Sequence, residues 1–270
     1  IAGSHASGTM EYDQSGGEVK RLHTGIAARA GIQSALLSKY GLTGPPTIFE
    51  GHRGVLRLFA GHENPEGMTL HLTEGDGIIH NCLKQYPTNA SQQAPINAMA
   101  GLVEEHRFRP EQIERVEVGL NKGVAMHCGS VYEPREVIQA QFSLAFSLAI
   151  RVIKGSNDLS LYMDERLWRD PEVLKLAHKI SFYPVAEIKD EQKHGCRMRV
   201  ILTGGRTIEA NLDYPKGSFK NPLTEKELHR KFADLAGRVL STDRCRQVVA
   251  AVASLDRVQK VSELVALLIK

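Results

Sequence analysis

Read for its spacing of apolar and polar positions, the chain divides into helical ends around a mixed middle. From Leu22 to Tyr40 the apolar residues Ile26, Ala30, Leu36, Leu37 and Tyr40 mark a helical stripe, and Gly41 supplies a natural stop. "TGPP" at 43–46 breaks the chain before a short, glycine-interrupted helix in "TIFEGHRGVLRLFAG". "GIIHNCLKQYP" (77–87) predicts a strand ending at Pro87, and "SQQAPINAMAGLVEEH" (91–106) a helix with Pro95 in its first turn. "IERVEVGL" (113–120) alternates like a half-buried strand. Its expected partners are "RMRVILT" and "RTIEANL", joined as a hairpin through Gly204 and Gly205.

Between those strands the pattern predicts a long helix from about Arg135 to Lys154, stopped by Gly155. A second follows in "DPEVLKLAHKI", where Asp170 can cap and Pro171 suits the first helical position. The last third is helical. Thr224 and Glu227 form a capping box for "TEKELHRKFADLAGRVL", and "CRQVVAAVASL" and "KVSELVALLI" follow. The expected fold class is α+β, with a helical segment at 1–69, an α+β domain at 70–215 and returning helices at 216–270.

Composition narrows the function. The 270 residues suffice for a sizeable core. A net charge of +3 without clustering gives no footprint for nucleic acid. No apolar run approaches the roughly 18 residues of a membrane span. The four cysteines (Cys82, Cys128, Cys196, Cys245) are dispersed, which fits a reducing cytoplasm. With the histidines scattered and no HExxH, no metal site is expected. The start, "IAGSHASGTM", lacks an initiator Met and reads as a chain that begins in mid-protein, packed tightly by its small residues.

Catalytic signatures of nucleotide-binding and hydrolase type are absent. The unusual feature is a pair of lysines: Lys20 in "KRLHTG", at a helix mouth, and Lys84 in "LKQYP". A cation at a helix N-terminus opposes the macrodipole unless an anion offsets both; a snorkelling lysine with its charge in water is the alternative. His23 belongs to the type of side chain that exchanges protons near neutrality. It is equally readable as a capping or core residue. His127 and Cys128 in "AMHCGSVYEP" share that ambiguity, and Arg21 reads as solvated surface.

Several stretches in collinear order resemble the MmgE/PrpD family: "KRLHTGIAARAGIQSALLSKYGLTGPPTIFEG", "LKQYPTNASQQAPINA", "QAQFSLAFSLA" and "NPLTEKELHRKFADLA". The resemblance implies a large helical domain interrupted by a smaller α+β domain. This chain would be the later portion of a longer protein and would expose apolar helix faces. It further implies a homodimer acting without metal or organic cofactor on a small polycarboxylate, by dehydration or decarboxylation of the 2-methylcitrate or cis-aconitate type. Lys20 and Lys84 match the family's active-site lysines, and His23 the histidine of the same turn. Asn89 and Gln93 stand where the decarboxylases carry histidines, and His127 and Cys128 fall near the position of an active-site tyrosine. An amide can orient a carboxylate but cannot shuttle a proton. Two alternatives therefore stay open: an epimerase or isomerase of a small dicarboxylate on the same fold, and a non-catalytic polycarboxylate-binding paralogue. As a fragment alone the chain is expected to be inactive.

Overall fold

The computed structural model describes residues 1–6, 8–9, 19–61, 81–128, 131–188 and 194–269. The first long helix, α1 (Val19–Lys39), ends as the sequence predicts, with Gly41 at a φ of +92°. Of its predicted stripe only Ala30 is buried, whereas Leu36 and Tyr40 are exposed. Ile26 and Leu37 are half-buried, so the described residues cover the stripe only in part. Beyond Gly54 the chain makes one widened π-helical turn, Leu56–Ala60, closed by Gly61 in the left-handed region.

Helix α2 (Gln93–His106) buries one face through Ile96, Met99 and Leu102, and Pro95 sits in its first turn as expected. Strand β1 (Ile113–Leu120) follows, then α3 (Lys122–Cys128). The predicted single helix from 135 to 154 is two helices, α4 (Val137–Phe142) and α5 (Leu144–Lys154). The break has a local cause. Ser143 adopts an extended conformation, its hydroxyl accepts from the Phe146 N–H at 3.0 Å and donates to the Val131 carbonyl, and α5 starts anew. Every residue of α5 from Leu144 to Ile150 is buried, and Gly155 closes it at a φ of +68°.

Helix α6 (Pro171–Ala177) is capped by Asp170, as the sequence suggests, but it ends before "KI". Ile180, the last residue of the predicted helix, instead opens β2 (Ile180–Pro184), a strand the sequence pattern does not predict. Strands β3 (Cys196–Leu202) and β4 (Thr207–Leu212) make the expected hairpin. Gly204 and Gly205 turn it at φ values of +95° and +85°, which β-carbon-bearing residues rarely adopt. The sheet order is β2-β1-β3-β4, with β1 and β2 parallel and the other pairs antiparallel. One face of β1 (Ile113, Val116, Val118, Leu120) enters the core with α2 and α5. The other carries an exposed charge lattice, in which Arg199 meets Glu117 and Glu209 at 3.0 Å each. Pairs of this kind stabilise little.

The C-terminal helices α7 (Glu225–Ala236), α8 (Thr242–Ala253) and α9 (Val261–Leu267) pack on one another. The Thr224–Glu227 capping box is formed. Of these helices only Cys245 and Val248 are buried, while Leu228, Val252 and Val265 remain exposed. At 53% helix and 12% strand among the described residues, the fold is mixed, in keeping with the α+β expectation. No helix among the described residues is long and apolar enough to cross a membrane.

Candidate active site

The segment predicted to end a strand at Pro87 is, over its described part (81–87), an irregular loop; residues 77–80 lie outside the described residues. Its shape is imposed from within α2. Gln93, fully buried, accepts from the Tyr86 N–H at 2.9 Å. Its amide nitrogen faces the Tyr86 carbonyl (3.1 Å), the Thr88 hydroxyl (2.9 Å) and the Asn89 carbonyl (3.2 Å). One turn on, Asn97 donates to Gln85 at 2.9 Å and to the Tyr86 hydroxyl at 3.1 Å, and accepts from the Lys216 N–H at 3.0 Å. The Leu83 N–H donates to the Gly217 carbonyl at 2.8 Å. A β-carbon on Gly217 would stand 1.9 Å from the Leu83 carbonyl oxygen, so only glycine permits this approach.

Lys84 therefore projects from a loop that is fastened on several sides. Its ammonium donates to the Thr88 carbonyl at 2.9 Å. The Lys84 carbonyl in turn accepts from the ammonium of Lys231, on α7. Burial and the nearby Lys84 charge hold the Lys231 pKa below the ordinary lysine value. Cys82 is half-buried beside the same two lysines; burial raises its pKa and outweighs them.

Lys20 reaches this region by a different route. Its ammonium stands 4.3 Å from the centre of the Phe142 ring, at the end of α4. Arg21, expected at the surface only, donates to the Gln141 side-chain oxygen at 3.1 Å. The Gln141 amide nitrogen donates onward to the Pro87 carbonyl at 2.7 Å. Gln141 and Phe142 thus form a bridge joining the two lysine-bearing segments, which lie some 60 positions apart in sequence. His23 lies next to Gly8, which holds a φ of +108° that favours glycine.

The remaining candidates are placed unevenly. Asn89 is buried at the N-terminal edge of the turn that opens α2. Gln93 is committed to the loop, with its polar atoms engaged as described above. The backbone of His127 and Cys128 ends α3, which packs on β1, β2 and the turn at 90–92. Their side chains lie outside what is described. His194, which the sequence reading passed over, approaches the same turn with its Nδ1 3.3 Å from the Ser91 hydroxyl. Lys231 was missed too. Its only sequence signal is its place beside Phe232 on an amphipathic helix whose phase the capping box fixes.

Behind the loop a buried polar chain ties it to the core. Gln92 donates to the Gln141 carbonyl at 3.2 Å and accepts from Ser147 at 2.8 Å; Tyr162 and Asn157 extend the chain, and Arg151 lies 5.3 Å from the Tyr86 ring. Among the described residues no buried side-chain polar atom lacks a partner, and no three His, Cys, Asp or Glu side chains group as a metal would need. An open groove of about 680 Å³ lies elsewhere, between the Gly31–Ser38 face of α1 and residues 41–45, and no titratable side chain lines it. The chemistry-bearing surface is the lysine loop, whose fixed cations and backbone suit the binding of carboxylates.

Comparison with known proteins gives the chain a family. Residues 1–68 match the MmgE/PrpD N-terminal domain and residues 86–257 the MmgE/PrpD C-terminal domain. The chain is 30% identical over 288 aligned positions to a cis-aconitate decarboxylase of Aspergillus terreus, with 99% of this chain and 58% of the relative aligned. It is 29% identical to the cis-aconitate decarboxylase-like protein oryM of Aspergillus oryzae (99% and 58%). Identity to the Homo sapiens cis-aconitate decarboxylase is 24% (99% and 56%). The chain spans less than three fifths of the length of these relatives.

Proposed function

Because the chain belongs to the MmgE/PrpD family, we propose that the whole protein is a lyase that dehydrates or decarboxylates a small di- or tricarboxylate of the 2-methylcitrate or cis-aconitate type. Lys20 and Lys84 each take a substrate carboxylate. Decarboxylation breaks a carbon–carbon bond and leaves its electron pair on carbon; in an unsaturated polycarboxylate that charge spreads towards a remaining carboxylate. A preorganised ammonium there stabilises the charge as it develops, which is where fixed electrostatics accelerate a reaction. Dehydration draws on the same stabilisation after a proton is removed next to a carboxylate. His23 moves the proton or orients the turn, Asn89 shapes the pocket beside Lys84, and Gln93 acts through the loop it holds. His127 and Cys128 act as substrate contacts. The protein works as a cytoplasmic homodimer, divided at 1–69, 70–215 and 216–270, without metal or organic cofactor.

The observation that supports this reading best is the bridge through Gln141 and Phe142. It gives the two lysine segments, otherwise independent, a common frame. The test is a product assay by NMR in deuterated water with citrate, 2-methylcitrate, cis-aconitate and smaller dicarboxylates. Loss of water or CO₂ supports the lyase. Solvent deuterium at carbon without either loss assigns an epimerase instead, and binding without any turnover assigns a non-catalytic binder.

A further inference from the structure

Two ammonium groups from distant parts of the chain meet at the Lys84 loop. Lys231 donates to the Lys84 carbonyl, and Lys84 donates to the Thr88 carbonyl at 2.9 Å. Among the described residues neither lysine has a carboxylate within ion-pair distance. The contrast is nearby: Lys216, at the edge of the same patch, is paired with Glu227 at 3.1 Å. Lys231 is half-buried, so its charge pays for lost hydration and for repulsion by Lys84 without an acidic partner. A backbone carbonyl answers one N–H of each ammonium and leaves the others free to donate. A carboxylate, with two oxygens, matches two such donors side by side.

We propose that Lys231 is a third cation of the substrate site, and that one substrate carboxylate is held between Lys231 and Lys84. The assignment rests on the lyase reading above and deepens it. With Lys20 on the far side of the Gln141 bridge, the site has two separate cationic ends. A substrate must then bring at least two carboxylates, and the end that meets Lys84 and Lys231 receives the doubly bonded one. The clamp on the Lys84 carbonyl also fixes the height of the loop, so α7 reports its docking directly to the site.

Titration calorimetry on the complete protein tests this, with citrate, cis-aconitate and 2-methylcitrate as probes and thermal melts to check folding. Lys231→Gln keeps a donor for the Lys84 carbonyl but removes the charge; Lys231→Arg keeps both. The expected result is a Kd raised about ten- to hundredfold by Lys231→Gln, the usual range for a charge-assisted hydrogen bond, and largely restored by Lys231→Arg. If Lys231→Gln binds like the parent while Lys84→Met is weakened, Lys231 only clamps the loop and the third-cation assignment is wrong, although the lyase reading stands. If the parent protein binds none of the three probes, or Lys84→Met binds as tightly as the parent, the lyase reading of this site fails and the assignment with it.

Discussion

Replacing Gln93 by Leu separates a residue that builds the site from one that touches substrate. The side chains are similar in size, and the position is fully buried, so the change removes hydrogen bonds with little change in volume. Three of the groups facing Gln93 have other partners: the Tyr86 carbonyl accepts from the Thr88 N–H, the Asn89 carbonyl from the Gln92 N–H, and the Thr88 hydroxyl can donate to Asn89. The Tyr86 N–H has only Gln93. Stranding one buried donor costs about 1–3 kcal/mol, and each further bond lost about 1 kcal/mol. With the two side-chain N–H groups of Gln93 lost as well, the sum is a destabilisation of roughly 3–5 kcal/mol, or a fall in Tm of roughly 6–15 °C for a chain of this size. Chemical denaturation and a thermal melt read it out. Gln93→Glu adds a sign. A carboxylate there would face backbone carbonyls and be forced towards its protonated form, raising its folded pKa above that of the unfolded chain. Its penalty should be small in acid and grow as pH rises past about 4.3. A loss below about 1 kcal/mol in Gln93→Leu, together with weakened citrate binding, would refute the reasoning and return Gln93 to the substrate.

Other consequences are open to measurement. Ser143→Ala removes the cap that starts α5 and should cost about 1–2 kcal/mol in denaturant unfolding; no change would mean that α4 and α5 can run on as one helix. Burial pushes the Cys196 thiol up to about 12, so native-state alkylation at neutral pH followed by mass spectrometry should modify half-buried Cys82 well before Cys196; the reverse order would contradict the placement of β3. Hydrogen bonds from the Thr224 backbone and hydroxyl, followed by Lys216, hold the Glu227 carboxyl below its usual pKa. A depressed acid contributes stability above its unfolded pKa and loses it as pH falls through the folded one. Helix α7 should therefore fray below about pH 4, and Glu227→Gln should make the protection of its amides, relative to their intrinsic exchange rates, insensitive to pH over that range.

Much of the fold was legible because local rules governed it. The cap of Asp170, the box of Thr224 and Glu227, the stops at Gly41 and Gly155 and the Gly204–Gly205 hairpin all depend on neighbours in sequence. The failures share a different cause. Ile180–Pro184 is a strand because β1 offers it a parallel edge, a partner more than 60 residues away. The loop at 81–87 is irregular because Gln93, Asn97 and Gly217 claim its backbone and side chains, and none of them is visible as a partner in an apolar run. Ser143 carried a readable cap signal that the surrounding apolar stripe masked. In the site, Lys20 and Lys84 stood out through resemblance, whereas the Gln141 bridge and Lys231 exist only once α4 and α7 are docked.

The central claim is that Lys84 and Lys20 act together on a polycarboxylate. Single-turnover and steady-state kinetics of Lys84→Ala, Lys20→Ala and the double variant in the complete protein test it most directly, using whichever polycarboxylate is turned over. Each single change should lower kcat/KM at least a hundredfold, about what losing one preorganised electrostatic contact costs, and the double variant should lose less than the product of the two because both act on one transition state. Full turnover after Lys84→Ala would contradict the account.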